Sequence, residues 1–264
     1  MDVQKMLSDY YSGYDEDGRL RSRHGMVEFL TTMRYVERYL KPGMRILEIG
    51  AGTGRYSHAL PQRGWQVDAV ELVEHNIEVF KQNTQPGENV TIRQGNAMDL
   101  HFLADETYDI TLLLGPMYHL FTVEEQRRAL SEALRVTKPG GVLFAAYCGN
   151  DATIVQYIFG RGMIREPRYE KLIDPVTFKA ASDPSELFEL YRREDIDALM
   201  ADLPAERLHY VGTDMATNYM RPVIDEMEDT VFEKYLQYHF YICERADLVG
   251  ASHHILDVSR KRTK

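Results

Sequence analysis

The chain has 264 residues, of which 44% are hydrophobic and 27% charged, and its formal net charge is -10 at pH 7. That composition suits one sizeable globular core, and two cysteines, Cys148 and Cys243, are too few for a disulfide framework. It gives no general attraction for nucleic acid or an anionic membrane, and no apolar run approaches the roughly 20 residues that span a bilayer. The start of the chain carries no apolar leader, and the basic tail of Arg260, Lys261, Arg262 and Lys264 reads as a solvated end. A reducing cytoplasm is the expected compartment, with a monomer or homodimer as the expected assembly and no nucleic acid or membrane partner.

In chain order, Met26, Leu30, Met33, Val36 and Leu40 recur at three- and four-residue spacings and predict an amphipathic helix over residues 26–40, stopped by Lys41-Pro42-Gly43. Residues 44–49 form the first predicted strand, followed by a Gly-rich turn and a helix after Gly54. Residues 66–71 are the second strand, a helix carries Ile77, Val79 and Phe80, and residues 89–93 are the third strand. Residues 108–114 are apolar enough for a strand buried on both faces. A helix over 123–136, a turn at Lys138-Pro139-Gly140-Gly141 and a strand over 142–147 complete a regular alternation. That alternation is the pitch of an α/β fold, a doubly wound and mostly parallel sheet covered by helices.

After Tyr147 the rhythm breaks. Helices are expected near 154–159 and 194–200, a polar segment over 161–184, a strand at 206–211, a mostly helical stretch over 220–244 and a last strand at 254–258. The layout is one domain over 1–264, with an N-terminal helical arm or lid at 1–40. Insertions at 150–200 and 215–250 would pack most economically over the ligand end of the sheet as a substrate cap.

The most informative residues are Glu48-Ile49-Gly50-Ala51-Gly52-Thr53-Gly54. Glycines here permit a tight turn and close approach of a ligand, and the helix that follows offers backbone N–H groups. The acid ahead of the first glycine is the sharper clue. It would repel a pyrophosphate and attract an ammonium, which points to the amino acid end of S-adenosylmethionine and away from NAD or ATP.

Four segments in order, across about residues 44–147, resemble the class I S-adenosylmethionine-dependent methyltransferases of small-molecule type. They are the turn just described; Val70-Glu71; Gln94-Gly95-Asn96-Ala97-Met98-Asp99; and Leu134-Arg135-Val136-Thr137-Lys138-Pro139-Gly140-Gly141. The resemblance implies a Rossmann-like methyltransferase fold with a seven-stranded sheet, N-terminal helices and helical insertions. It implies that Glu48 lies near the methionine ammonium and that Gly50, Ala51, Gly52, Thr53 and Gly54 approach the cofactor with backbone. Glu71, followed by Leu72, would take both ribose hydroxyls, since one carboxylate offers acceptors to two neighbouring O–H donors. Asn96, Ala97 and Met98 would border the adenine, and Leu114 and Gly115 would complete the wall. Asp99 has two readings, a cofactor contact or a turn cap.

The acceptor side is expected at Leu114-Gly115-Pro116-Met117-Tyr118-His119-Leu120, after the fourth strand, where ligands of open α/β sheets collect. DNA amino methyltransferases carry a polar residue ahead of the proline at this place; here Gly115 stands there, which argues against base methylation. His119 is the local candidate for a proton acceptor, and its other reading is a ring packed at a helix start. Tyr118 would line the methyl channel or simply pack. In the N-terminal arm, Tyr14 over the cofactor and Arg21 or Arg23 on an anionic group would make a lid; a solvated arm is the other reading. Tyr219 and Arg221 are candidates for the same cavity. His253 and His254 are adjacent and expected on opposite sides of a strand, and His209 and His239 lack ligand spacing, so no metal is expected.

The expected activity is methyl transfer from S-adenosylmethionine to an oxygen or nitrogen of a small molecule, with S-adenosylhomocysteine as product. The rival readings are a methyltransferase for RNA or protein, a nicotinamide oxidoreductase, and a regulatory protein that binds the cofactor without turnover.

Overall fold

A computed structural model describes residues 3–13, 18, 21–181 and 183–263. Helix α1 (Val3–Gly13) precedes α2 (Arg23–Glu37). The strand–helix alternation then runs β1 (Arg45–Ile49), α3 (Arg55–Ala59), β2 (Gln66–Glu71), α4 (Glu74–Asn83), β3 (Val90–Gln94), β4 (Tyr108–Leu113), α5 (Val123–Val136) and β5 (Thr137–Gly149). Helix α2 begins earlier than its apolar spacing implies, because the Ser22 hydroxyl accepts from the Gly25 N–H and caps the first turn. It is Thr122 and Glu125 that start α5, each side chain accepting from the other's backbone N–H.

The sheet order is β3-β2-β1-β4-β5-β8-β7, where β7 (Ala205–Gly212) and β8 (His254–Lys261) come from the C-terminal part of the chain. Strands β1 to β5 are parallel, and β8 runs antiparallel between β5 and β7. A short strand, β6 (Leu190–Tyr191), adds to the end of β5 and has no periodic signature in the sequence. The direction in which successive strands are added reverses between β1 and β4, which opens a crevice at their carboxyl ends.

Alternation within β1 divides the core. Leu47 and Ile49 join Leu113, Leu143, Leu130 and Leu134 on the α5 face. Ile46 joins Ile110, Phe144, Met33 and Val36 on the α2 face. Near-continuous apolar strands are what a sheet covered on both sides requires. The Lys138-Pro139-Gly140-Gly141 segment is no free turn: β5 already pairs at Thr137 with Tyr108, shifts register, and resumes at Val142 opposite Ile110. The segment is therefore a bulge inside one long strand.

Beyond β5 lie α6 (Asn150–Thr153), which continues as a π-helical turn over Ile154–Phe159, then α7 (Pro167–Leu172) and α8 (Arg193–Met200). Ile154, Ile158, Tyr169 and Ile173 form a small apolar cluster of their own there. Helices α9 (Arg221–Asp225) and α10 (Asp229–Ile242) follow β7, and α9 packs on α2. No helix among the described residues is long and apolar enough to cross a membrane.

The last glycine of the turn is required by packing. Gly54 has φ 95°, and a Cβ there would lie 2.5 Å from the His58 ring and 2.7 Å from Phe80. Gly54→Ala should lower stability by about 1–3 kcal/mol through backbone strain and overpacking. Thermal denaturation without ligand checks this; an unchanged midpoint would show that α3 and α4 can separate at no cost.

Candidate functional site

A cleft of about 280 Å³ lies at the carboxyl ends of β1, β2 and β4. The first loop leaves β1 by hydrogen bonds from the Gly50 and Ala51 N–H groups to the Val70 carbonyl, at 2.8 and 3.1 Å. Gly50, at φ 77°, passes under the fourth-strand loop so closely that a Cβ would sit 2.5 Å from Pro116 Cδ. Gly52 faces open space, with nothing within 4 Å of a would-be Cβ. Gly50, Ala51, Gly52 and Thr53 line the cleft. Gly54 does not, which corrects the expectation that all three glycines approach the ligand: its missing side chain serves His58 and Phe80.

Two buried carboxyl groups face this cleft. Glu48, 1% exposed, accepts a short hydrogen bond from the Ser57 hydroxyl. Burial pushes its pKa up to about 8, with Ser57 opposing and the charge of Glu71 adding. Glu71 is held from both sides: Gly52 N–H donates to Oε2 at 2.8 Å, and Val73 N–H donates to Oε1 at 2.9 Å. Asn76 adds a longer bond of 3.4 Å to Oε1. Burial still raises the Glu71 pKa against those donors. The carboxylate keeps lone pairs for two vicinal hydroxyls, and Glu48 offers a desolvated acid that a cation would ionise. The donor set fits S-adenosylmethionine.

Leu72, Asn96, Ala97, Met98, Leu114 and Gly115 all line the cleft, as does the pair Tyr118 and His119. The Asn96 side-chain oxygen accepts from the Met98 N–H at 2.9 Å, so part of that amide is used to hold the loop. Asp99 serves as a turn cap on the outer surface, accepting from the ring and backbone of His101. His119 is buried with both ring nitrogens engaged: Nδ1 donates to the Leu187 carbonyl at 2.8 Å, and Nε2 accepts from the Tyr11 hydroxyl at 2.9 Å. Burial pushes its pKa down to about 4, only partly opposed by Leu187, so the ring is neutral.

Other candidates lie apart. Arg23 does not reach the cleft; its Nη2 donates to Asp229 at 2.7 Å and its guanidinium covers Phe232. Ser22 caps α2 directly ahead of it, so the helix carries this side chain towards α10. Arg21 is exposed and also outside the cleft wall. Tyr14 lies outside the described residues. Tyr219 is 37% exposed and donates to the Ala251 carbonyl at 3.0 Å, so it also misses the cavity. Arg221 lines a second cavity, which adjoins the cleft and shares Tyr11, Tyr118 and His254 with it. His253 and His254 are not on opposite faces: His253 precedes β8, and the two rings lie 4.9 Å apart.

Several wall residues gave no sequence motif. Leu7 and Tyr11 reach the cleft from α1, four residues apart on one helical face, which is the one signal available beforehand. Glu28 and Thr32 come from α2 with the same spacing, Thr213 directly follows β7, and His254 begins β8. Only the folded sheet brings the last two near Glu48.

This fold, with an acid at each of the first two strand ends, defines a sulfonium-nucleoside methyltransferase site. Residues 47–145 match the family model described as a methyltransferase domain. A demethylmenaquinone methyltransferase of Clavibacter sepedonicus is 31% identical over 198 residues, covering 74% of this chain and 75% of that protein. A ubiquinone biosynthesis O-methyltransferase of Hahella chejuensis is 25% identical over 201 residues, covering 73% of this chain and 81% of its own length. A solved S-adenosylmethionine-dependent methyltransferase of Methanosarcina mazei superposes with a TM-score of 0.59 at 17% identity, covering 87% of this chain and 98% of that one. The chain belongs to the class I S-adenosylmethionine-dependent methyltransferases, and its cofactor is S-adenosylmethionine.

Glu71→Ala should raise the Kd for S-adenosylhomocysteine more than about tenfold; unchanged affinity by calorimetry would remove the ribose contact. Glu48 should also leave a pH signature. Below pH about 8 its carboxyl is mostly protonated, and a ligand ammonium favours the ionised form. Binding should therefore release a proton, and affinity should rise as the pH increases from about 6 towards 8. Calorimetry in buffers of different ionisation enthalpy reads the proton, and Glu48→Gln should abolish the release.

Proposed function

We propose that this enzyme methylates an oxygen or nitrogen of a small-molecule acceptor that reaches the cofactor cleft past Tyr11 and Tyr118. The observation that carries the reading is the continuity of two cavities. The cleft holding Glu48 and Glu71 and the larger cavity beyond it share Tyr11, Tyr118 and His254 as walls. A regulatory protein without turnover has no need of such an acceptor route. Glu48 is an acid that a ligand ammonium would ionise and a pyrophosphate would not, which weighs against a nicotinamide cofactor, and the size of the second cavity, about 390 Å³, suits a small acceptor better than RNA or protein.

Bound S-adenosylmethionine would supply an electrophilic methyl group: the acceptor lone pair would take it, the carbon–sulfur bonding pair would stay with sulfur, and the acceptor's proton would leave to water. The chain's share of the work is orientation and exclusion of water. Segments 150–200 and 215–250, with α1, serve as the cap. Phe188 is its hub, with ring centroids 5.8 Å from Tyr118, 5.2 Å from His119 and 6.1 Å from Tyr10. Tyr118 lines the passage. His119 acts through Tyr11: its neutral ring anchors the Tyr11 hydroxyl on one side and the cap backbone at Leu187 on the other. It is a positioning residue in this state, and taking a proton itself would require Tyr11 to leave Nε2. Support for oxygen as the acceptor atom comes from the relative named as an O-methyltransferase. Free, buried thiols at Cys148 and Cys243 fit a reducing compartment, and the assembly is taken as a monomer or homodimer.

Incubation with methyl-labelled S-adenosylmethionine and the low-molecular-mass fraction of a cell extract tests the function. S-adenosylhomocysteine should form only with that fraction, and the label should move into a small molecule; label in RNA or protein would overturn the reading. His119→Ala should slow that turnover about tenfold or more with little change in S-adenosylhomocysteine affinity, and His119→Asn should recover part of it. Turnover unchanged by His119→Ala would dismiss His119 from the reaction.

A further inference from the structure

Successive residues of a regular strand point to opposite faces, which would separate His253 from His254. Strand β8 starts only at His254, so His253 escapes that alternation and the two rings lie 4.9 Å apart. The reason for expecting no metal goes with it. Asp214, two residues beyond β7, completes a group: one ligand atom from each of Asp214, His253 and His254 lies within 4.8 Å of the others. Glu28 reaches the same place from α2. Its Oε2 is 3.4 Å from His254 Nδ1, and Asp214 Oδ2 is 2.8 Å from that nitrogen. Ligand atoms on a tetrahedral ion, with bonds of about 2.0–2.1 Å, stand about 3.3 Å apart, so these two separations bracket a coordination shell.

The two oxygens of the buried Asp214 are used differently. Oδ1 accepts from the His253 and His254 N–H groups at 3.0 and 3.1 Å and lies 2.7 Å from the Ser252 hydroxyl. Oδ2 is turned to the imidazole of His254. Donors on the outer oxygen are the support that orients a ligating carboxylate. Gly149 pins the histidine segment: its N–H donates to the His253 carbonyl at 2.8 Å, and a Cβ there would lie 2.3 Å from the Ser252 carbonyl oxygen. His253 Nδ1 is buried without a hydrogen-bond partner among the described residues, a costly state for a polar atom. The His254 imidazole can bring no more than one positive charge to the two carboxylates on its Nδ1. A divalent cation there would bring two, and His253 can offer it a nitrogen that bonds to nothing else among the described residues.

We infer that Glu28, Asp214, His253 and His254 form a binding site for a divalent transition-metal ion of the zinc or cobalt class. Two imidazoles among the ligands select such an ion over magnesium or calcium, which take oxygen shells. His254 borders both cavities, Glu28 the cofactor cleft and His253 the second cavity, so the ion would sit on the boundary between them. It would also join α2 to the start of β8. The inference depends neither on the identity of the acceptor nor on methyl transfer.

Equilibrium titration of the chelator-treated protein with zinc, cobalt(II) and magnesium chlorides tests the site. One equivalent of zinc should bind at least about a hundredfold more tightly than magnesium, and bound cobalt should give a visible absorption that zinc abolishes by displacement. Zinc at about a hundredfold excess over its Kd should raise the thermal midpoint by about 5 °C or more. His253→Ala should weaken zinc about tenfold or more. It should leave the Kd for S-adenosylhomocysteine unchanged, because His253 lies outside the cofactor cleft, and that Kd also reports folding. Glu28→Gln is the second variant and should weaken zinc with an unaltered circular dichroism spectrum. Zinc that binds no more tightly than magnesium, or equally well to wild type and both variants, would overturn the site and leave the methyltransferase reading standing. Bound zinc with no affinity for S-adenosylhomocysteine would do the reverse.

Discussion

Glu48 and Glu71 are two acids buried at the carboxyl ends of adjacent parallel strands, and the first loop is folded around them. Among the described residues, neither is paired with a basic side chain. Ser57 donates to one, while the Gly52 and Val73 amides donate to the other. Removing two like charges from water is unfavourable, which is why burial raises both pKa values. A ligand that brings a cation to one carboxyl and hydroxyl donors to the other would recover that energy. The loop conformation, the Gly50 contact with Pro116 and the short helix after Gly54 all keep that pair in place.

Substrate handling depends on elements remote in sequence. Helix α1 lays Leu7 and Tyr11 across the cleft, and Tyr11 is tied to the fourth-strand loop through His119. The cap is tied to the same loop: the Glu189 N–H donates to the Tyr118 carbonyl at 2.8 Å, and the Tyr191 hydroxyl donates to the Met117 carbonyl at 2.7 Å. Cap, arm and loop therefore share one aromatic junction. A change in any of them is transmitted to the passage between the two cavities.

The cofactor half was legible because its determinants are local. A strand, a Gly-rich turn and an acid at the next strand end recur within a short stretch, and hydrophobic periodicity places them on adjacent strands. Both halves of the site were misread where orientation mattered. Arg23 follows the cap residue of α2, so its helical phase carries it to Asp229, and no composition argument contains that phase. The histidine pair was assigned to opposite faces on the assumption of regular strand, yet β8 begins only at His254 and leaves His253 free to turn beside it. Gly54 was assigned to the ligand, whereas α4 brings Phe80 against it.

What the residues alone determined is the α/β order, the cofactor and the two acids that line the cleft, since these follow from short-range pattern and from the charge of single side chains. Tertiary structure decided which groups gather at the seam between the two cavities. Glu28, Asp214 and His254 converge because an antiparallel last strand is inserted beside β5 and α2 packs over it. Such long-range closure depends on the packing of whole faces, and one-dimensional spacing carries no record of it.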